Sequence, residues 1–232
     1  MIARDPNLER IERVAAALSP LLDRLVFVGG CAAGLLMDDP GATPIRLTLD
    51  VDLVSAVTAL ARYHDLEAAF HGLGFRRDTT ADAPICRWTY HGMQVDLMPT
   101  DPTVLGFANR WYDLAVQTAT EVRLPSGTVI RVIAAPVFLA TKFEAFDDRG
   151  QGDLLASHDM EDIVNVIASR ARIVTEVHAS GSDLRHYLAV RCRQLLEQPD
   201  LEGYLPGLLL DTSNLELTGV VISRLRKIGF QA

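Results

Sequence analysis

Cysteine is scarce in this chain of 232 residues: Cys31, Cys86 and Cys192 are an odd number at wide spacing. There is no CxxC pair to hold structural zinc and no even framework to staple a secreted domain. Lysine is scarcer still, with Lys142 and Lys227 set against twenty arginines. No apolar run approaches the roughly 20 residues that span a bilayer, and there is no internal repeat or low-complexity tract. The opening MIARDPNLER is charged and lacks an apolar signal core, so a cytoplasmic, reducing location with no membrane partner is the expectation. The histidines show no metal-ligand spacing such as HxxxH. Net basic charge is also missing. At −8, the chain is not a general nucleic-acid coat, which needs a broad basic surface to neutralise phosphates; a local basic patch is still open.

What is present suits a globular protein, 49% hydrophobic and 22% charged, with ample apolar material for a core. Pro6-Asn7 opens a helix to about Ser19, with Ile11, Val14, Ala15 and Leu18 on one face. Leu25–Val28 reads as a buried strand ending at Gly29-Gly30, then a short helix over Cys31–Met37 and a loop over Asp38–Pro44. Arg46–Ser55 alternates as a half-buried strand. A helix over Val57–Leu73 follows, then a hairpin of Ile85–Tyr90 and Met93–Met98 across His91-Gly92. A second hairpin joins Gln117–Leu124 to Thr128–Ile133. From Pro136 the pattern turns helical, with segments from Pro136 to about Asp147, Asp159–Ser169, Asp183–Gln198 and Leu215–Ile228. The fold class expected is α+β, with a catalytic domain over residues 1–135 and a helical domain over 136–232.

Three features carry chemistry. Gly29-Gly30 stands at a strand-to-helix turn, where glycine allows close backbone approach and free N–H groups favour an anion; taken alone, an ordinary tight turn accounts for it. Asp50-Val51-Asp52 puts two carboxylates on one face of a strand, where aspartate is disfavoured. They repel unless a cation lies between them, and Mg²⁺ binds through one or two carboxylates plus substrate phosphates. A solvent-facing edge strand accounts for the pair equally well. Asp96 is a third carboxylate, inside the apolar Met93–Met98 strand. If that strand lies beside Asp50–Asp52, three aspartates converge as in a two-metal clamp for nucleotidyl transfer, with Asp96 placed to help take a proton.

The order of these features, with Val28-Gly29-Gly30 followed by Arg46-Leu47-Thr48-Leu49-Asp50-Val51-Asp52-Leu53, resembles the AbiEii-type toxin nucleotidyltransferases of the polymerase-beta-like superfamily. Arg46, Thr48, Asp50 and Asp52 match that family's pattern, and the likeness continues through Lys142 to Arg149 and through Ser157–Ile163. The resemblance covers about residues 25–165. It implies a polymerase-beta-like sheet flanked by helices. Asp50, Asp52 and Asp96 would hold Mg²⁺ or Mn²⁺. Gly29, Gly30, Arg46, Thr48 and Asp159 would serve the nucleotide, and Lys142 would lie on its phosphates. It also implies an NTP donor, a tRNA 3′ end as acceptor and a cognate antitoxin as partner. His158 departs from the lysine common at that place, and Gly30 from the serine that many members of the wider fold carry. A small-molecule or protein acceptor, and a catalytically silent nucleotide-binding module, are the alternatives. Arg185, Arg191, Arg193, Arg224, Arg226 and Lys227 suggest either a strip for RNA or solvated helix faces. Trp88, Tyr90, Trp111 and Tyr112 are base-stacking candidates or core.

Overall fold

The computed structural model describes residues 5–38, 44–149, 153–209 and 215–230; most of the Asp38–Pro44 loop expected from the sequence lies outside them. The described residues fall into two compact units. One comprises Pro6–Leu35 and Leu47–Ala134, the other the described parts of Met1–Asp5, Leu36–Arg46 and Ala135–Ala232.

The first unit is built on a seven-stranded mixed sheet. Helix α1 (Leu8–Ala17) buries Ile11, Val14 and Ala15 along one face, the i, i+3, i+4 stripe of an amphipathic helix. It gives way to a 3₁₀ turn, Ser19–Arg24, with Pro20 in its first positions. Strand β1 (Val26–Val28) is buried throughout, and β2 (Asp50–Ser55) is shorter than the alternation from Arg46 suggested. Helix α2 (Leu60–Gly72) buries Tyr63, Leu66 and Phe70. Strands β3 (Arg76–Arg77), β4 (Arg87–Tyr90) and β5 (Met93–Pro99) come next. Two short helices, α3 (Pro102–Leu105) and α4 (Tyr112–Thr118), precede β6 (Thr120–Arg123) and β7 (Val129–Val132). Gln117 and Thr118, expected to begin a strand, are the end of α4 instead. The sheet order is β3-β4-β5-β2-β1-β7-β6. β2 runs parallel to β5 and antiparallel to β1.

Two local features fix this sheet. His91 and Gly92 both have positive φ, 47° and 79°. That is the primed two-residue turn whose twist matches an antiparallel pair, and it sets Tyr90 against Met93 and Arg87 against Asp96. Against β4, Trp88 is fully buried with Phe70 and Phe75, the ring centroids of Phe70 and Trp88 being 5.4 Å apart. Trp88 is thus core rather than a base-stacking platform.

The second unit is helical: α5 (Ala135–Arg149), α6 (His158–Ser169), α7 (Ile173–His178), α8 (Ser182–Leu196), α9 (Leu201–Leu208) and α10 (Leu215–Phe230). The sequence pattern did not single out α7 and α9. Helix α6 is buried from Asp159 to Ser169, so it is a core helix whose polar side chains must find partners inside. Arginines close several helix ends: Arg224 donates to the carbonyls of Ile167 and Ala168, and Arg193 to that of Gly229. These contacts satisfy carbonyls that a helix end leaves without partners. Arg185 donates to His178 O and Arg191 pairs with Asp147, so four of the six cations considered as an RNA strip hold the fold together. No described helix is long and apolar enough to cross a membrane.

Candidate metal centre

The parallel pairing of β2 with β5 sets Asp50 beside Gln94 and Asp52 beside Asp96. Side chains two apart on a strand share a face, and residues on one rung share it too. All three carboxylates therefore project from one side of the sheet. One oxygen from each lies within 4.8 Å of the others. Asp50 and Asp52 are half-buried and Asp96 is buried. Carboxylates this close repel by about 3 kcal/mol per pair at an effective dielectric of 20, less where water screens them, so the cluster calls for cations.

One cation is built in. Arg87, opposite Asp96 on β4, donates from Nε to Asp96 Oδ1 at 2.9 Å and from Nη2 to Asp96 Oδ2 at 2.8 Å. The same Nη2 reaches Asp50 Oδ2 at 3.1 Å. The fork on Asp96, its charge and that of Asp50 hold the guanidinium protonated well above its ordinary range. Arg87 offsets part of the charge that the three carboxylates gather, and a divalent ion would offset more. The donors are all oxygen, with no imidazole or thiolate among them, which suits Mg²⁺ or Mn²⁺ over softer metals. Cys86 lies nearby as an inert thiol, pushed up to about 12 by burial and by the charges of Asp96 and Asp52.

Gly29 completes the cluster from the other side. β1 pairs Val28 with Asp52, and the chain leaves β1 through Gly29 at φ 67°. A Cβ at this position would stand 1.8 Å from Asp52 Oδ2. Only glycine both adopts that backbone conformation cheaply and leaves room for the carboxylate. Gly30 opens a 3₁₀ segment, Gly30–Leu36, where the sequence suggested a short helix beginning at Cys31.

Thr48, ahead of β2, is buried. Its N–H donates to Asn7 Oδ1 at 2.9 Å and its hydroxyl to the carbonyl of Asp50 at 3.2 Å, so it anchors the approach to the aspartates. Arg10 of α1 also donates to the Thr48 carbonyl. Beside these residues lies a cavity of about 460 Å³, bordered by Arg10, Arg13, Leu47, Leu49, His91 and Gln94. Gln94 stands one same-face position before Asp96, and it is the lining residue on the rung of Asp50. Leu47 and Leu49 are 53% and 69% exposed and give it an apolar side; Arg10 and the Glu9–Arg13 ion pair, at 2.6 Å, give it a charged one.

Within the helical unit the other expected residues form a second cluster. Lys142 of α5 is buried, with Nζ 2.7 Å from Asp162 and 3.0 Å from Asp159. Burial alone would push this ammonium down, but the two carboxylates outweigh it and hold it above its usual value. Arg149 grips both oxygens of Asp159 at 2.8 Å. Burial raises Asp159 less than Arg149 and Lys142 lower it, so it sits below the ordinary carboxylate range. Arg46 donates to Asp162 at 3.2 Å and lies 3.7 Å from Glu161. The resemblance implied Lys142 on the phosphates and Arg46 at the nucleotide; here each contacts acidic side chains of α6. Asp159 follows Ser157, which caps α6 by accepting from Met160 N.

No protein-family model and no curated protein matches the chain. Solved structures do. The crystal structure of an antigenic nucleotidyltransferase-like protein from Paracoccidioides brasiliensis is similar over 89% of this chain and 94% of its own, at 24% identity and a TM-score of 0.52. The solution structure of the antibiotic-resistance factor ANT(2'')-Ia is similar over 82% of this chain and 94% of its own, at 20% identity and a TM-score of 0.51. At these identities the likeness is one of fold, and it is the nucleotidyltransferase fold that the order of motifs implied.

Proposed function

We propose that this chain is a metal-dependent nucleotidyltransferase, which moves a nucleoside monophosphate from an NTP to an acceptor hydroxyl. The observation that carries this reading is the convergence of Asp50, Asp52 and Asp96 from two parallel strands on this fold. The three carboxylates would hold Mg²⁺ or Mn²⁺, which supplies neutralising charge to the triphosphate and acidity to the acceptor hydroxyl. The acceptor oxygen bonds to the α-phosphorus, the bond to the β-phosphate oxygen breaks, and pyrophosphate leaves. The hydroxyl proton passes toward Asp96, whose oxygens must first be freed from Arg87. Gly29 and Gly30, on the β1 side, present backbone to the phosphates, while the cavity lies between α1 and the His91-Gly92 turn.

The cavity supports an anionic acceptor with an apolar face. Arg10, and Arg13 once released from Glu9, suit phosphate oxygens, and Leu47 and Leu49 suit a base or sugar edge. With the AbiEii-like motifs, this favours an RNA 3′ end, tRNA in particular, and a growth-arresting role held in check by an antitoxin. A small-molecule acceptor is the second reading, favoured by the fold shared with ANT(2'')-Ia. Incubation with each α-labelled NTP, Mg²⁺ and either total RNA or a panel of small hydroxylated compounds decides between them, with Asp52→Ala as control. Label in RNA that vanishes in the control supports the first reading, and label in a small compound the second. Label in neither, with no Mg²⁺ or NTP binding by calorimetry, points to the silent module.

Gly29→Ala tests the geometry directly. The left-handed backbone costs an alanine about 1–2 kcal/mol, and the new methyl must push the Asp52 carboxylate aside. A displacement near 1 Å costs about 100-fold in rate. The expected result is a drop of that size in transfer at an unfolding temperature lowered by only a few degrees. Wild-type turnover in this variant would show that Asp52 does not need its place against Gly29.

A further inference from the structure

Arg87 lies outside the motifs, yet it holds two of the three carboxylates of the cluster. Its fork takes both oxygens of Asp96, at 2.9 and 2.8 Å, and the shared nitrogen adds Asp50 at 3.1 Å. These are the oxygens a divalent ion would use. The side chain is largely enclosed, 17% exposed. Its backbone is fixed on both sides: Arg87 N donates to Pro84 O, and Arg87 O accepts from Asp78 N. The guanidinium can therefore leave the oxygens only by side-chain rotation, on a backbone held in place by β4.

Resting on the metal-dependent reading above, we infer that Arg87 is a resident counter-ion that makes metal loading depend on the triphosphate. A free divalent ion must displace a bidentate, charge-assisted pair and then share the cluster with a cation still tethered beside it. When the ion arrives with a triphosphate, the displaced guanidinium exchanges carboxylate oxygens for phosphate oxygens, to which its planar fork is equally suited. Metal alone binds weakly, and metal with nucleotide binds strongly. Arg87 thereby sets the order of assembly as a positioning residue, separate from the ligands.

The test is Mn²⁺ binding followed by electron paramagnetic resonance and calorimetry, with and without a non-hydrolysable NTP analogue, on wild type, Arg87→Met and Arg87→Lys. The expected result is that Arg87→Met binds Mn²⁺ alone at least tenfold more tightly than wild type, with that advantage lost once the analogue is present. Arg87→Lys, which keeps the charge but not the fork, falls between. A merely structural arginine gives the opposite sign, because loosening Asp96 weakens Mn²⁺ binding in both variants; equal or weaker binding in Arg87→Met overturns the inference while leaving the metal centre intact. If wild type and both variants, all folded by circular dichroism, bind no Mn²⁺ even with the analogue, the metal-dependent reading fails and the inference with it.

Discussion

Asp52→Asn is expected to lose about 1,000-fold in nucleotidyl transfer while unfolding within a few degrees of wild type. Asparagine keeps the volume of the side chain, so the contact with Gly29 survives. What is lost is one of three negative charges gathered within 4.8 Å. Metal-mediated charge stabilisation is worth several kcal/mol in a transition state, and each 1.36 kcal/mol is tenfold in rate, which gives the factor of about 1,000. Stability moves little, because the repulsion relieved among the carboxylates offsets the contacts that the charge gives up. A centre assembled for chemistry at some cost in stability shows this divergence; a structural cluster would lose stability instead. Measured turnover within tenfold of wild type would exclude Asp52 as a metal ligand.

Lys142→Met has the second large effect, and it falls on folding. Lys142 is enclosed between Asp159 and Asp162, and methionine fills similar volume without the charge. Breaking a buried ion pair from one side costs about 3–5 kcal/mol. The lower end applies here, because Arg149 still holds Asp159 and Arg46 still holds Asp162. For a chain of this size that lowers the unfolding temperature on the order of 10 °C. The pH dependence has a definite sign. In wild type the depressed Asp159 contributes stability above the ordinary carboxylate value of about 3.9, which is lost as pH falls through its lower folded value. In Lys142→Met burial is opposed at Asp159 by Arg149 without the ammonium, so Asp159 protonates more readily in the folded state. The gap between variant and wild type therefore narrows as pH drops from 7 toward 4. Thermal melts across that range check it; a gap that is constant, or below about 1 kcal/mol at pH 7, would show that the lysine is not the counter-charge of α6.

The sheet and its three aspartates were legible because they broke a local rule. Carboxylates at Asp50, Asp52 and Asp96 stand in apolar strands where packing alone would not place them, and the chain order of glycines and aspartates suggested adjacent strands. Arg87 was missed although the sequence held the means to find it. Once a two-residue turn is placed at His91-Gly92, counting outward sets 90 against 93 and 87 against 96, and an arginine falls opposite the third aspartate. In the Lys142 cluster the contact that escaped is that of Arg46 with Asp162, which are 116 positions apart, beyond the reach of any local pattern. Helices α7 and α9 escaped because they are short, and α9 carries Pro206 within it. The strand expected from Gln117 failed for a similar reason, its first residues being taken into the last turn of α4.

The pairing of β2 with β5 has a consequence for which changes in chain length the protein can accept. Loops at the surface of a domain commonly admit extra residues with little penalty. Between Ser55 and Met93, however, whatever is inserted must leave the parity of β5 unchanged, because a slip by one position turns Asp96 to the opposite side of the sheet. It would then bring Val95 or Leu97 to the rung beside Asp52. The same slip would carry Trp88 and its neighbours out of the core if β4 moved with it. In related chains, insertions and deletions in this stretch should therefore be confined to the connections before β4, with the tight turn at His91-Gly92 held at two residues.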